Sequence, residues 1–180
     1  RVCLIDIDPQ AHATLHLGAA PAGTRREQPG ITLDTTIYDV LTGDAPLASA
    51  CQQVSDNLWL VGSHIDLAAA EVELAGVVGR EMILRDRLEV FEPRFDYCLI
   101  DCPPSLGILT LNALAAVDEV FIPLQPHFLA LHGLSKLLET IDLVARRLNP
   151  RLQIGGVIMC MFESATRLAA EVSRDVEDFF

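Results

Sequence analysis

A single lysine, Lys136, occurs in the 180 residues, and it falls on a polar position in the middle of an amphipathic stretch. No strand end therefore offers a lysine to a phosphoryl group. This argues against a receiver domain, where clustered acids bind magnesium and a later lysine pairs with the phosphate. A glycine-rich loop carrying a lysine, the usual phosphate cradle of nucleotide hydrolases, is also missing from these residues. No apolar run reaches the ~18 residues of a membrane span, and no signal-peptide architecture is present. Repeats and low-complexity tracts are absent as well. The five cysteines are odd in number and scattered. Cys3, Cys98 and Cys160 sit inside strand-like runs, where a thiol behaves as a small hydrophobe, which favours a reducing cytoplasm. A formal net charge of -12 excludes wholesale coating of nucleic acid, though not a local basic patch.

What is there is enough for a core. Half the residues are hydrophobic (51%), and the length suggests one domain. Strands are predicted at 2–7, 58–62, 97–101, 119–124 and 154–160. Between them lie helical periods. Over 80–92, Leu84, Leu88 and Phe91 share one face, and over 133–148 Leu134, Leu137, Leu138, Ile141, Val144 and Leu148 keep the i, i+3, i+4, i+7 rhythm. Strands separated by helices imply βαβ units and a mainly parallel sheet flanked by helices. Residues 19–35, rich in Pro, Gly, Thr and charge, read as the one loop-like stretch. The chain starts inside a strand without an initiator Met, and its last pattern (Leu168, Val172, Val176, Phe179, Phe180) is helical. It is therefore expected to be truncated at both ends, with 1–180 a single partial domain.

Acids mark the strand ends. The opening run RVCLIDIDPQ puts Asp6 and Asp8 at the close of an apolar strand, and FDYCLIDCPPSLG closes another at Asp101 before Pro103 and Pro104. Carboxylates are costly inside a parallel sheet but suit its carboxyl edge, where such sheets bind ligands. An apolar strand ended by a single Asp is the Walker B pattern, in which the carboxylate holds magnesium, usually through a water. By itself such an Asp is more readily a cap for the next helix. Three carboxylates at one edge, however, repel each other unless a cation is present. A phosphate-binding NTPase remains, with its phosphate loop expected before Arg1, within about 30 residues of strand, loop and helix.

These residues carry a resemblance. The stretch IDIDPQAHATLHLG (5–18) resembles switch I of the ParA/Soj partition ATPases, of the deviant-Walker-A class that also holds MinD. The likeness continues in order through ITLDTTIYDVLTGD, GSHIDLAAAEVELAG, GRE, DYCLIDCPPSLGILTLNAL, VFIPLQPHFLALHGLSKLLETI and IGGVIMCMF, nearly the whole chain. It implies a P-loop NTPase-like fold and an ATPase using ATP and Mg2+. It further implies a homodimer formed on ATP, non-specific DNA binding, a ParB-type partner, movement of plasmids or chromosomes, and a cytoplasmic, nucleoid-associated location. Membrane association is not expected.

The resemblance also assigns roles. Asp8 matches the acid that positions the attacking water, and Asp6 the preceding acid of the magnesium and phosphate network. Asp101 matches the magnesium acid, acting through water. Pro9 and Gln10 continue switch I, and Cys102, Pro103, Pro104 and Ser105 form switch II beside the nucleotide. The signature lysines of the phosphate loop match nothing here. His12 replaces a common Asn, and His127 and His132 stand where relatives carry acids or polar residues. His12 and His16 lie four apart like a helical metal pair but lack a third ligand, so they read as surface or switch-loop histidines. Cys98 and Cys102 read as packing. An electron carrier of the nitrogenase-iron-protein kind would need dedicated cluster cysteines, and none stands out. Two alternatives stay open: a MinD-like membrane-associated ATPase, and a nucleotide-binding scaffold without hydrolysis, against which Asp8 argues.

An acidic protein that binds DNA must gather its cations. They become denser late in the chain, at Arg146, Arg147, Arg151, Arg167 and Arg174. ParA relatives often place a DNA-contacting Arg where this chain has Ala165, and Arg167 follows two residues later. Reversing Arg167 and Arg174 to Glu together is expected to weaken ATP-dependent DNA binding and flatten its salt slope by roughly one to two units, while ATP turnover without DNA is kept. Unchanged affinity in a salt-titrated binding assay would move the DNA site elsewhere.

Overall fold

The chain begins as the sequence pattern dictates. Val2–Asp6 forms β1, whose Cys3 and Ile5 are buried and whose Val2 and Leu4 are half-buried. The computed structural model describes residues 1–22, 30–91, 95–126, 128–162, 171–174 and 176, with the side chains of 128–132 not among them. Two compact units result, Arg1–Ala116 and Val117–Phe180.

In the first unit, β1 is followed by α1 (His12–His16), β2 (Ala19–Pro21), β3 (Ile31–Leu33), α2 (Ile37–Thr42), α3 (Leu47–Ala50), β4 (Cys51–Ser55) and β5 (Leu58–Val61). Then come α4 (Leu67–Glu73), short 3-10 turns at Leu74–Gly76 and Arg80–Met82, α5 (Ile83–Glu89), β6 (Tyr97–Asp101) and α6 (Ile108–Ala116). The sheet order is β4-β5-β1-β6. β1 runs parallel to both neighbours, with Ile5 opposite Val61 and Ile100, and β4 is an antiparallel edge. One sheet face buries Cys3, Ile5, Ile7 and Val61 against Ile37, Val40, Leu41, Leu47, Leu67, Ala70, Leu84, Leu109 and Ala113, so α2 to α6 form a helical layer. Each of these helices supplies a short apolar stripe that is stable only when packed.

The predicted strands and the 80–92 helical segment are present, with the latter divided into a 3-10 turn and α5. The stretch 19–35 differs from expectation. It contains β2 and β3, paired in parallel with Ala19 opposite Ile31 and Pro21 opposite Leu33. Burial is the reason: Ala19 and Leu33 pack on Leu60, with Leu4, Leu17, Ile31 and Val54 around them, covering the second face of the main sheet. Residues 23–29 of that stretch lie outside the described residues.

The second unit is a βαβ crossover. β7 (Glu119–Leu124), α7 (Phe128–Arg147) and β8 (Gln153–Met159) follow in order, and β7 pairs β8 in parallel from Glu119 opposite Gln153 to Leu124 opposite Met159. α7 begins at Phe128 rather than 133, and buries Leu134, Ile141 and Val144. Asn149 Nδ2 donates to the Val117 carbonyl at 2.6 Å, tying the end of the crossover to the start of β7. Residues 171–174 and 176 are helical, and Val172 and Val176 are buried. Among the described residues, no helix is long and apolar enough to cross a membrane.

A polar staple fixes the helical layer of the first unit. Asn112 of α6 is fully buried, and its Oδ1 accepts the Leu84 N–H at 3.0 Å. Its Nδ2 donates to the carbonyls of Arg80 (2.7 Å) and Ile108 (2.9 Å). Removing a side chain that satisfies buried backbone groups costs about 1–3 kcal/mol for each group left unpaired. Asn112→Ala is expected to destabilise the protein by about 2–4 kcal/mol in denaturant titration, with a matching loss of hydrogen-exchange protection at the Leu84 amide.

Candidate functional site

Parallel register assembles the acidic edge. Asp6 closes β1 directly opposite Asp101, which closes β6, and the Ile7 N–H donates to the Asp101 carbonyl at 2.9 Å. Two residues on, Asp8 lies on the turn that leaves β1 at the same edge. The three carboxylates singled out by the sequence thus stand at the carboxyl end of adjacent strands, the position that parallel sheets use for ligands.

Their environments differ. Asp6 is fully buried, and both of its oxygens are engaged. Oδ1 accepts the Asp8 N–H at 3.1 Å, while Oδ2 accepts the Thr14 N–H at 2.8 Å and the Thr14 hydroxyl at 2.7 Å. A carboxylate so committed anchors the backbone around it. Asp8 is half-buried, and its Oδ1 accepts the Gln10 N–H at 2.8 Å. The Ala11 N–H donates to the Asp8 carbonyl at 2.9 Å, closing a turn in which Ala11 adopts a left-handed φ of 53°. Pro9 is half-buried and Gln10 exposed on this turn.

Asp101 is exposed at the mouth of the edge, yet its carboxyl is held above the usual carboxylate range, by desolvation first and then by the charges of Asp6 and Asp8. His12 acts in the opposite sense on Asp101. The neighbouring Cys102 thiol is pushed up to about 12 by burial and by Asp101, Asp8 and Asp6. It remains a protonated thiol at neutral pH and is no nucleophile. After it, Pro103 is buried while Pro104 and Ser105 are exposed. Thr110 in the first turn of α6 donates its hydroxyl to the Ser105 carbonyl at 2.6 Å and so holds this segment against the helix.

Several contributors were not singled out in the sequence. Thr14, Ser63 and Thr110 are small hydroxyl residues with no charge to draw notice. Their signal lies in spacing, since Thr14 sits one helical turn beyond the Asp8 turn and Thr110 five residues after Ser105. Glu71 of α4 covers Gly107, where an added Cβ would come within 2.1 Å of Glu71 Oε1.

The other expected residues are placed as follows. His16 Nδ1 lies 2.7 Å from the His12 carbonyl oxygen, an interaction within the helix. Among the described residues no group of three His, Cys, Asp or Glu side chains is arranged to hold a metal by itself. Cys98, expected to pack, is exposed on β6, and Cys102 is half-buried. Arg146 pairs with Asp142 at 2.9 Å and Arg151 with Asp118 at 3.5 Å, while Arg147 and Arg174 are exposed. Arg167, Ala165 and His127 lie outside the described residues, as does the side chain of His132.

The chain is similar to known proteins. The family described as AAA domain matches residues 1–154. The sporulation initiation inhibitor protein Soj of Bacillus subtilis is 41% identical over 181 residues, covering 100% of this chain and 68% of its own length. The chromosome partitioning protein ParA of Myxococcus xanthus is 44% identical, covering 100% of this chain and 61% of its own. Among solved structures, cobyrinic acid a,c-diamide synthase from Mycobacterium smegmatis, with bound ATP analog and magnesium, superposes with a TM-score of 0.88 at 37% identity, over 100% of this chain and 70% of that one. The chain thus spans about two thirds of the length of the curated relatives it matches. With the acidic edge and both segments that follow it inside the matched region, the chain belongs to this AAA-domain family and, within it, to the ParA/Soj partition ATPases.

Proposed function

We propose that residues 1–180 are the acid-bearing part of an ATP-hydrolysing partition protein, one partial nucleotide-binding domain whose phosphate loop lies upstream. The observation that carries this reading is Asp8 on a turn beside Asp101 at one carboxyl edge of a parallel sheet.

The residues present fit magnesium in part. Asp101 offers a hard oxygen donor whose ionisation is opposed by its neighbours, so a cation there relieves the repulsion. Magnesium keeps most of its waters and takes phosphate oxygens as further ligands, so one protein carboxylate acting through water suffices. The residues do not fit the phosphates themselves, because the lone lysine, Lys136, lies on α7. When bound with ATP, the metal supplies charge neutralisation to the phosphates. This chain's own residues do the rest. Asp8 orients a water and accepts its hydrogen bond, Asp6 holds the Asp8 turn, and the Pro103–Ser105 segment, tied to Thr110, borders the nucleotide.

In this reading the protein dimerises on ATP, binds DNA non-specifically through late arginines, and acts with a ParB-type partner on a chromosome or plasmid, in the cytoplasm at the nucleoid. Arg147 and Arg174 are the exposed members of the arginine set without a described ion pair.

In the complete protein, Asp8→Ala is expected to keep ATP binding and dimerisation while turnover falls by something like 10²–10⁴-fold. Asp101→Ala is expected to weaken magnesium-dependent nucleotide binding. An equal and mild loss of binding and turnover from Asp8→Ala would assign that residue to structure.

The electrostatics give a second expectation. The Asp101 carboxyl is raised in the folded state, so the native protein binds more protons than the unfolded one in the window above about pH 4, and stability falls as pH rises through it. Thermal melts from pH 4 to 7 without magnesium should show this falling component in the wild type and its loss in Asp101→Asn. Magnesium should restore part of it in the wild type alone. Parallel pH profiles for the two proteins would refute the assignment.

A further inference from the structure

Thr14 is bonded to the acidic edge through both its backbone and its side chain. Its N–H and hydroxyl both donate to Asp6 Oδ2, and its Oγ1 also accepts the Ser63 N–H at 2.9 Å. With the Ser63 N–H pointing at Oγ1, the hydroxyl proton is directed to Asp6, so the three groups form one oriented, fully buried chain. The approach of Ser63 depends on Gly62, where a Cβ would lie 2.3 Å from Leu33 Cδ1 and 3.1 Å from Thr14 Cγ2. Ser63 is itself fully buried, and its hydroxyl has no hydrogen-bond partner among the described residues. Its segment is thus held by the Thr14 bond to its N–H and by packing, at the expense of its own side chain.

From Ser63 the chain enters α4, whose Glu71 covers Gly107 in the segment that follows Asp101. From Asp6 the other oxygen holds the Asp8 N–H. Thr14 therefore lies on a continuous path between the turn bearing Asp8 and the segment after Asp101.

We propose that Thr14 is a positioning residue for hydrolysis, its hydroxyl fixing Asp6 and, through it, the direction in which the Asp8 carboxylate meets the attacking water. This rests on the ATPase reading above. Thr14 touches no reacting atom, so its effect falls on turnover rather than on nucleotide affinity. A side chain that sets the aim of another by less than an ångström carries up to about a hundredfold in rate.

The test compares Thr14→Val, which keeps shape and the N–H but loses the hydroxyl, with Thr14→Ser, which keeps the hydroxyl. In the complete protein, Thr14→Val is expected to lower kcat by about ten- to a hundredfold with KM for ATP within about threefold, and Thr14→Ser to stay within about threefold of wild type. In an Asp8→Ala background, Thr14→Val should cost no further turnover, because its effect passes through Asp8. A lower melting temperature with unchanged kcat per folded molecule would leave Thr14 a purely structural residue and overturn the proposal. If Thr14→Val does not fold, Thr14→Ser decides: near-native kcat at native melting supports the role of the hydroxyl, and a tenfold loss at native melting refutes it. Absence of ATP turnover in the wild type, or indifference to Asp8→Ala, would instead defeat the ATPase reading itself. Wild-type turnover that depends on Asp8 but not on Thr14 would defeat only this inference.

Discussion

A buried carboxylate, Asp6, with no cation partner among the described residues, organises the acidic edge. Asp6 ends a strand inside the sheet, shielded from solvent, and a charge there is tolerated only when donors surround it. Those donors come from the chain that follows: the Asp8 N–H, the Thr14 N–H and the Thr14 hydroxyl. Satisfying Asp6 requires the backbone to turn at once after β1 and to bring α1 back over the strand end. The left-handed Ala11 is part of that geometry, a sparsely populated conformation for a residue with a Cβ. α1 has only five residues, too few to be stable alone. It persists because its buried Thr14 is held by Asp6.

The same edge is electrostatically unfinished. Asp101 and Cys102 are both held toward their protonated forms, by burial first and then by neighbouring acids. A site meant only for structure would place a cation or a hydrogen-bond donor at that point, as Asp6 has. Asp101 instead faces outward, the repulsion from Asp6 and Asp8 opposed by His12 alone among the causes of its shift, an arrangement that suits the hydrated cation proposed above. Two acids in register on adjacent strands thus differ in their surroundings. One is satisfied internally and gives rigidity, and the other, in the proposed function, is left for a ligand.

Much of this was legible in the sequence because it was written in strong contrasts. Apolar runs closed by Asp6 and Asp101 stand out against their own hydrophobicity, and parallel register then follows from the alternation of strands and helices. The small sheet of β2 and β3 was not legible. Three-residue strands carry almost no periodicity, and Pro, Gly and Thr nearby are ordinary turn residues, so only their burial against Leu60 reveals them. α2 carries a local signal in its sequence: Thr36 and Asp39 form a capping box, with the Thr36 N–H donating to Asp39 at 2.8 Å. The part of Asp6 was hidden for another reason. Sequence treats Asp6 and Asp8 alike, whereas burial separates them, and burial at a strand end is decided by what packs over it.

The difference between Asp6 and Asp8 also explains why the two cannot exchange roles. Asp6 is the last residue of a strand bonded on both sides, and it is itself paired with Asp101 of β6. Asp8 is two residues beyond, on a turn closed by hydrogen bonds to Gln10 and Ala11. A turn of this kind can adjust by fractions of an ångström when a ligand arrives, and a central strand cannot. If Asp8 aims at a water, as proposed, it gains from that freedom, provided the turn has a fixed reference. Asp6 supplies the reference through the Asp8 N–H, and Thr14 fixes Asp6 in turn. Rigidity in the strand and adjustability in the turn therefore belong to one device, joined by a single buried carboxylate.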